Sequence, residues 1–157
     1  DMWLPAQGAL NFGTGFTSPD SASTFTIPSA AAKAVTVGAY DAGTGSAAPF
    51  SGRGYIVEIG GSLMVKPELA APGVNVLVPS VSGMARVSGT SYATPFVTGS
   101  AALLMEWGIV RGNDAFLYGE KLKAYLIKGA EPLAGAAVPD TQTGWGRLCL
   151  KNSLPQA

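Results

Sequence analysis

The run Gly89-Thr90-Ser91-Tyr92-Ala93-Thr94-Pro95-Phe96-Val97-Thr98-Gly99 opens an apolar helix in a chain that contains no histidine. A serine between a small-residue turn and a helix start has an exposed hydroxyl, free backbone N–H groups and the positive end of a helix dipole beside it. These are the features wanted of a nucleophile whose attack creates an oxyanion. A serine hydroxyl is nonetheless a poor nucleophile at neutral pH without an adjacent base, and the usual base is histidine. The sequence thus carries one part of a catalytic machine and lacks another. Taken alone, Ser91 would read as a helix N-cap; the flanking residues turn the reading toward a nucleophile. Gly89 and Thr90 shape the approach to it, and Gly89 and Gly99 also permit tight packing.

The elements that must position Ser91 alternate between strand and helix. Ala93, Phe96, Val97, Ala101, Ala102, Leu103, Leu104 and Met105 make the helix apolar nearly all round, the pattern of a buried helix. It ends near Gly108 as a C-cap. Asn113 or Asp114 caps the next helix, whose apolar face is Tyr118, Leu122, Tyr125 and Leu126 and which Gly129 closes. Upstream, Val35 and Val37 alternate with small residues as in a buried strand, and Gly38 permits close backbone approach. Val74, Val76 and Val78 give a second strand entered by a Pro72-Gly73 turn, and residues 83–87 a third that delivers the chain to Ser91. This order indicates an α/β fold, a parallel sheet with helices on both faces. Residues 1–25 differ. Met2-Trp3-Leu4-Pro5 reads as a strand end, followed by a long loop rich in glycine, threonine and serine, and residues 26–157 form the folded unit.

Composition narrows the function. At 157 residues the chain is long enough for a core that buries about 70% of its unfolded surface. Only 13% of residues are charged, against a typical value of about 25%, so much of the chain expects burial. The formal net charge is zero and no basic run exists, which leaves nucleic acid without an electrostatic footprint. No apolar stretch reaches the roughly 18 residues of a membrane span, and the N-terminus lacks a signal-peptide pattern. The chain begins with Asp and not Met, the expectation for a processed product or a piece of a longer protein. One cysteine, Cys149, and no histidine exclude a zinc site. Lys66, Glu68 and Arg53 read as solvated surface charges, and Trp145 and Tyr92 as core or rim aromatics. Glu58 and Asp41 read as loop residues, although loop carbonyls in this region can hold a weak cation; no other cofactor is expected.

The segment from Gly89 to Pro95, with Val97 and Gly99 following, resembles the nucleophile motif of the subtilisin-like serine proteases (subtilases). Other segments agree in order. Ile27-Pro28-Ser29 and Ala34-Val35-Thr36-Val37-Gly38-Ala39-Tyr40-Asp41 are similar to the family strand that ends in Val-Gly-Ala. Phe50-Ser51-Gly52-Arg53-Gly54 resembles its Phe-Ser-x-x-Gly turn. Lys66-Pro67-Glu68-Leu69-Ala70-Ala71-Pro72-Gly73-Val74 is similar to its Lys-Pro-Asp-Leu-x-Ala-Pro-Gly-Val segment, and Gly144-Trp145-Gly146-Arg147-Leu148 to its closing Gly-x-Gly motif. Five collinear motifs confirm one another where a single one would be weak.

The resemblance implies the C-terminal half of a subtilisin-like catalytic domain, with a partial subtilisin-like fold. Ser91 is then the nucleophile of an Asp-His-Ser triad in a serine endopeptidase, and its backbone N–H an oxyanion donor. In the family's chain order Asp, His, Ser, both triad partners lie upstream of this chain, as does an asparagine that donates to the oxyanion. Asn11, followed by Phe12-Gly13, lacks the Gly-Asn context and is not assigned that role. Phe96 stands where the family often has a histidine that is not the general base. The implied partners are a polypeptide substrate and the missing N-terminal half of the domain, and the implied location is secreted or spore-associated. Residues 1–25 resemble, more loosely, the exit from a β-rich insert in the germination subtilases of spore-forming anaerobes; an ordinary surface loop is the alternative.

Rival chemistries can be weighed on the same residues. An α/β-hydrolase elbow needs Gly-x-Ser-x-Gly and a downstream histidine, and here Ala93 replaces the second glycine. The acid-acting relatives of subtilisin place Glu and Asp four residues apart on one helix, and no Glu here has an Asp four positions on. A Ser-Lys dyad would draw on Lys66, Lys123 or Lys128, with no support from spacing. The non-enzymatic alternative is a pseudoprotease scaffold that acts as a binding or signalling module. Strand 35–40 or its neighbour is expected to present an open edge, and with it a tendency to self-associate.

Overall fold

A computed structural model describes residues 4 and 7–155 of the chain. The expected strand end at Met2-Trp3-Leu4-Pro5 falls outside the described residues apart from Leu4. A short 3-10 turn, Gln7–Ala9, precedes a segment through residue 36 that holds no helix or strand.

The centre of the fold is a three-stranded sheet of β1 (Val37–Asp41), β2 (Ser46–Ala47) and β5 (Leu69–Pro72), in the order β2-β1-β5. β1 and β5 run parallel, with Val37 opposite Leu69 and Ala39 opposite Ala71, while β2 is antiparallel to β1. Residues 37–40 of β1 and 69–71 of β5 are buried, as in strands covered on both faces. Val37, Ala39, Leu69 and Ala71 point to one face and pack with Ala93, Val97 and Leu104 of the helix that carries Ser91 and with Leu126. Tyr40 and Ala70 point to the other and meet Leu133. Gly38 leaves no room for a side chain: a Cβ there would lie 2.6 Å from the Gln142 carbonyl oxygen.

The α/β class stands, and the chain refines its layers. Among the described residues, the sheet face carrying Tyr40 and Ala70 is covered by a non-helical segment, 131–147, and the helices lie on the opposite face. β1 is not the open edge expected of strand 35–40, because β2 flanks it on one side and β5 on the other. On that same side the Ala39 N–H donates to the buried Ser51 Oγ at 2.9 Å and the Ala48 N–H to the Ala39 carbonyl.

Two hairpins leave the sheet. β3 (Ile56–Ile59) and β4 (Ser62–Val65) join through Gly60 and Gly61, both at positive φ, as a two-residue hairpin turn requires. Glu58 therefore sits on a strand, exposed, and not in a loop. Asp41 closes β1, and its Oδ1 accepts from the Gly43 N–H at 2.8 Å. β6 (Val76–Ser80) and β7 (Gly83–Val87) pair antiparallel, so the second and third expected strands form a hairpin and do not join the parallel sheet. Alternating valines specify strand but not its partner.

The helix that carries Ser91, α1 (Thr90–Met105), runs without a break into a π-helical turn, Glu106–Val110. The helix thus passes Gly108, the expected C-cap, and stops at Arg111 and Gly112, where φ is +75°. Gly108 has a packing role instead, since a Cβ there would lie 2.8 Å from Leu117. Thr90–Val110 is 21 residues long, a span whose length and composition would suit a membrane crossing. Its place is the core: Ala93, Val97, Ser100 and Leu104 are buried, three or four residues apart on one face, and α1 packs on β1 and β5. The burial expected all round is confined to that face. Tyr92, Phe96, Leu103, Met105, Ile109 and Val110 remain exposed among the described residues.

α2 (Gly119–Gly129) starts at Tyr118 with no side-chain cap. Asn113 instead donates to the Trp107 carbonyl at 2.8 Å. Asp114 reaches into α2 from outside, pairing with Lys121 at 2.7 Å and accepting from the Tyr125 hydroxyl. A final turn, α3 (Leu150–Ser153), packs on α2, where Ser153 occupies the space a Cβ at Gly129 would need.

Lys66 and Glu68 overturn their reading as solvated charges. Both are buried, paired at 2.7 Å, and joined by Lys123 of α2 on the same carboxylate. A lysine buried in this way must be paired and fully hydrogen-bonded. Arg53 is exposed as expected, its guanidinium donating to Ser21.

Candidate active site

The five sequence motifs converge on the segment 66–73. Lys66 exchanges backbone hydrogen bonds with Tyr55, Glu68 N–H donates to the Thr36 carbonyl, and Trp145 N–H donates to the Glu68 carbonyl. Ala70 N–H donates to Gly146, and Leu148 N–H returns to Ala70, each at 2.8 Å, so the closing motif lines the free side of β5. Gly144 fits because a Cβ there would lie 2.1 Å from the Pro67 carbonyl oxygen, and its φ of +61° suits glycine.

At the far end of that segment the chain holds Ser91. Gly73 N–H donates to the Tyr40 carbonyl at 3.0 Å, tying the exits of β1 and β5 together. Gly89 N–H then donates to the Gly73 carbonyl at 2.8 Å. A side chain at Gly73 would collide with Ala39, 2.6 Å away, and crowd the Gly89 carbonyl oxygen at 3.1 Å. Gly89, at φ +153°, ψ +156°, is the N-cap of α1 and turns the chain into the helix without a side-chain cap. Ser91 is therefore the second residue of a helix seated at the carboxyl ends of two parallel strands, where open α/β sheets place their ligands.

Ser91 is exposed, and among the described residues its hydroxyl has no hydrogen-bond partner. Its N–H is one of the unpaired donors of a helix start, aimed away from the helix body with the dipole behind it. Pro95 has no N–H to return to the Ser91 carbonyl four residues back, which loosens the first turn. Along the helix the Thr94 hydroxyl donates to the Thr90 carbonyl and the Thr98 hydroxyl to that of Thr94. Beside Ser91 an apolar groove of about 290 Å³ is lined by Val76, Leu77, Val78, Tyr92, Pro95 and Phe96.

The other candidate bases lie elsewhere. Lys66 and Lys123 are both bound to Glu68 before the start of β5, at the opposite end from Ser91, and Lys128 is exposed in the last turn of α2. Among the described residues no lysine is hydrogen-bonded to Ser91. Asn11 lies exposed in the long N-terminal segment, its carbonyl accepting from Thr14 N–H. Gly73 is the residue of the candidate site that the sequence reading missed. Its signal was present, because the Pro72-Gly73 pair marks a turn, but the backbone approach of Gly89 cannot be read from one strand.

The sequence model of the subtilase family matches residues 10–146. The CspB protease of Clostridium perfringens is similar in structure, at 44% identity and a TM-score of 0.81, over 92% of this chain and 30% of that one. The self-cleaved protease domain of PatA aligns at 30% identity and a TM-score of 0.61, over 81% of this chain and 42% of that one. The PII-type proteinase of Lactococcus lactis subsp. cremoris is 38% identical over 67 residues, which are 42% of this chain and 4% of the proteinase. The chain thus spans well under half the length of these relatives. With the family pattern matched across residues 10–146, this chain belongs to the subtilase family.

Proposed function

We propose that this chain is the nucleophile-bearing part of a serine endopeptidase catalytic domain. The observation that carries the reading is Ser91 itself, exposed and unpartnered at the start of a helix pinned by Gly73 to both parallel strands. Ser91 Oγ attacks the scissile carbonyl of a polypeptide. The Ser91 N–H donates to the oxyanion, and a histidine oriented by an aspartate takes the serine proton and returns it to the leaving amine. Gly89 and Thr90 hold the approach open. The histidine, the aspartate and a second oxyanion donor come from polypeptide outside these 157 residues, since the chain has no histidine. The uncovered stripe of Phe96, Leu103 and Val110 supports this reading, because it is an apolar face fit for the rest of a domain. The chain alone is inactive on this account, and the whole protein is secreted or spore-associated.

Reconstitution tests the proposal. Joining the remaining part of the catalytic domain, in one chain or by co-expression, yields endopeptidase activity that Ser91→Ala abolishes. A reconstituted domain that folds and binds peptides yet cleaves nothing from mildly acidic to alkaline pH contradicts it, and favours a pseudoprotease that works as a binding or signalling module.

A further inference from the structure

Lys66 is wholly buried, and its ammonium has no part in the chemistry at Ser91. An ammonium has three N–H donors and no acceptor. Three oxygens receive them: Glu68 Oε1 at 2.7 Å, the Ala34 carbonyl at 2.8 Å and the Thr36 hydroxyl at 3.3 Å. Lys123 enters from α2 and meets the same set, with Glu68 Oε1 at 2.5 Å, the Ala32 carbonyl at 2.8 Å and the Ala34 carbonyl at 3.4 Å. Glu68 Oε2 accepts from the Thr36 N–H at 2.7 Å, and the Thr36 hydroxyl donates to the Ser29 carbonyl. The segment 29–36, which has no helix or strand of its own, therefore wraps its carbonyls around one carboxylate.

Loop carbonyls gathered on a carboxylate are the donor set of a hard cation. Here they are already filled. Two ammonium groups take the carboxylate, the two carbonyls and the hydroxyl, so the weak loop cation does not fit this chain at these oxygens. We propose that segment 29–36 and Glu68 form an oxygen cage for a monovalent cation, and that Lys66, assisted by Lys123, is its built-in occupant. The protein thereby fixes this segment to β5 and α2 without drawing an ion from solution. Size supports a monovalent ion in a vacated cage. The contacts of 2.7 to 2.8 Å exceed the ligand distances of about 2.3–2.6 Å for Ca²⁺ and about 2.0–2.1 Å for Mg²⁺.

The test is thermal unfolding in potassium chloride against choline chloride at equal ionic strength. The unsubstituted chain has the same midpoint in both. Lys66→Met keeps the apolar stem and removes the ammonium. Its midpoint falls by roughly 10 °C in choline, the scale expected when a buried ion pair loses a partner in a chain of this length. Potassium restores at least half of that loss, saturably, and calcium restores less. The double substitution Lys66→Met with Lys123→Met leaves Glu68 with no ammonium and depends on potassium more strongly. A potassium gain in either variant, absent from the unsubstituted chain, is the expected result. No gain in either variant, whether folded or unfolded in choline, overturns the proposal, as does an equal gain by the unsubstituted chain.

Discussion

The Gly89 N–H donates to the Gly73 carbonyl at 2.8 Å, and this one hydrogen bond fixes the turn before Ser91 to the end of β5. It exists only because neither residue has a side chain. Gly73 is pressed between Ala39 and the Gly89 carbonyl, while Gly89 holds a φ of +153°. Gly73→Val should therefore overpack this junction and cost roughly 1–3 kcal/mol of stability. Urea denaturation measures it. An unchanged midpoint would mean that the turn is not held from β5.

The chain by itself should not react rapidly with fluorophosphonate probes. Loss of the histidine alone costs subtilisin about a million-fold in turnover, and this chain has none. Lys66 and Lys123 are both committed to Glu68, and among the described residues the Ser91 hydroxyl has no hydrogen-bond partner to act as a substitute base. Rapid stoichiometric labelling of Ser91 in the isolated chain would show that another group activates it.

The exposed apolar stripe of α1 should make the isolated chain self-associate. Phe96, Leu103 and Val110 lie seven residues apart and are 43%, 54% and 78% exposed, so they form one continuous face. Leu103→Lys together with Val110→Lys should shift sedimentation toward monomer and lower dye binding to exposed apolar surface. A compact monomer that binds no dye before substitution would contradict this.

The Asp114–Lys121 contact predicts a pH signature. The hydrogen bond from Lys121, reinforced by the Phe116 N–H and Tyr125, holds the Asp114 carboxyl below the usual carboxylate range despite partial burial. A depressed folded pKa gives stability that is present above the unfolded value of about 4 and is lost as pH falls through the folded one. Hydrogen bonding to Asp114 raises the Lys121 ammonium, whose contribution is present below the unfolded value of about 10.4 and is lost above the folded one. Asp114→Asn should melt below the unsubstituted chain at neutral pH, and the gap should close in acid. A gap that stays constant from pH 7 to pH 2 would assign the loss to shape and not to charge.

The legible parts of this protein are those encoded locally. The Gly-Thr-Ser turn, the helix behind it, strand 83–87 and the Gly129 helix end each depend on neighbours within a few residues. What the sequence concealed depends on distant partners. Val76 and Val78 announce a strand, yet only β7 makes it a hairpin. Gly108 looks like a helix stop until Leu117 is packed against it. Lys66 and Glu68 look like surface charges by residue type, and only the arrival of segment 29–36 and α2 encloses them. Gly60-Gly61 was a local signal for the β3–β4 hairpin, and its two-residue turn is readable from sequence.

The central claim is that Ser91 is the nucleophile of a serine endopeptidase domain. The most direct measurement is fluorophosphonate labelling of the reconstituted domain, with the modified residue located by peptide mass spectrometry. One label per domain is expected, on Ser91, lost together with peptide cleavage in Ser91→Ala while the fold persists, since Ser91 is exposed and its hydroxyl makes no hydrogen bond among the described residues. A folded domain that takes no label, or takes it on another residue while still cleaving, would contradict the claim.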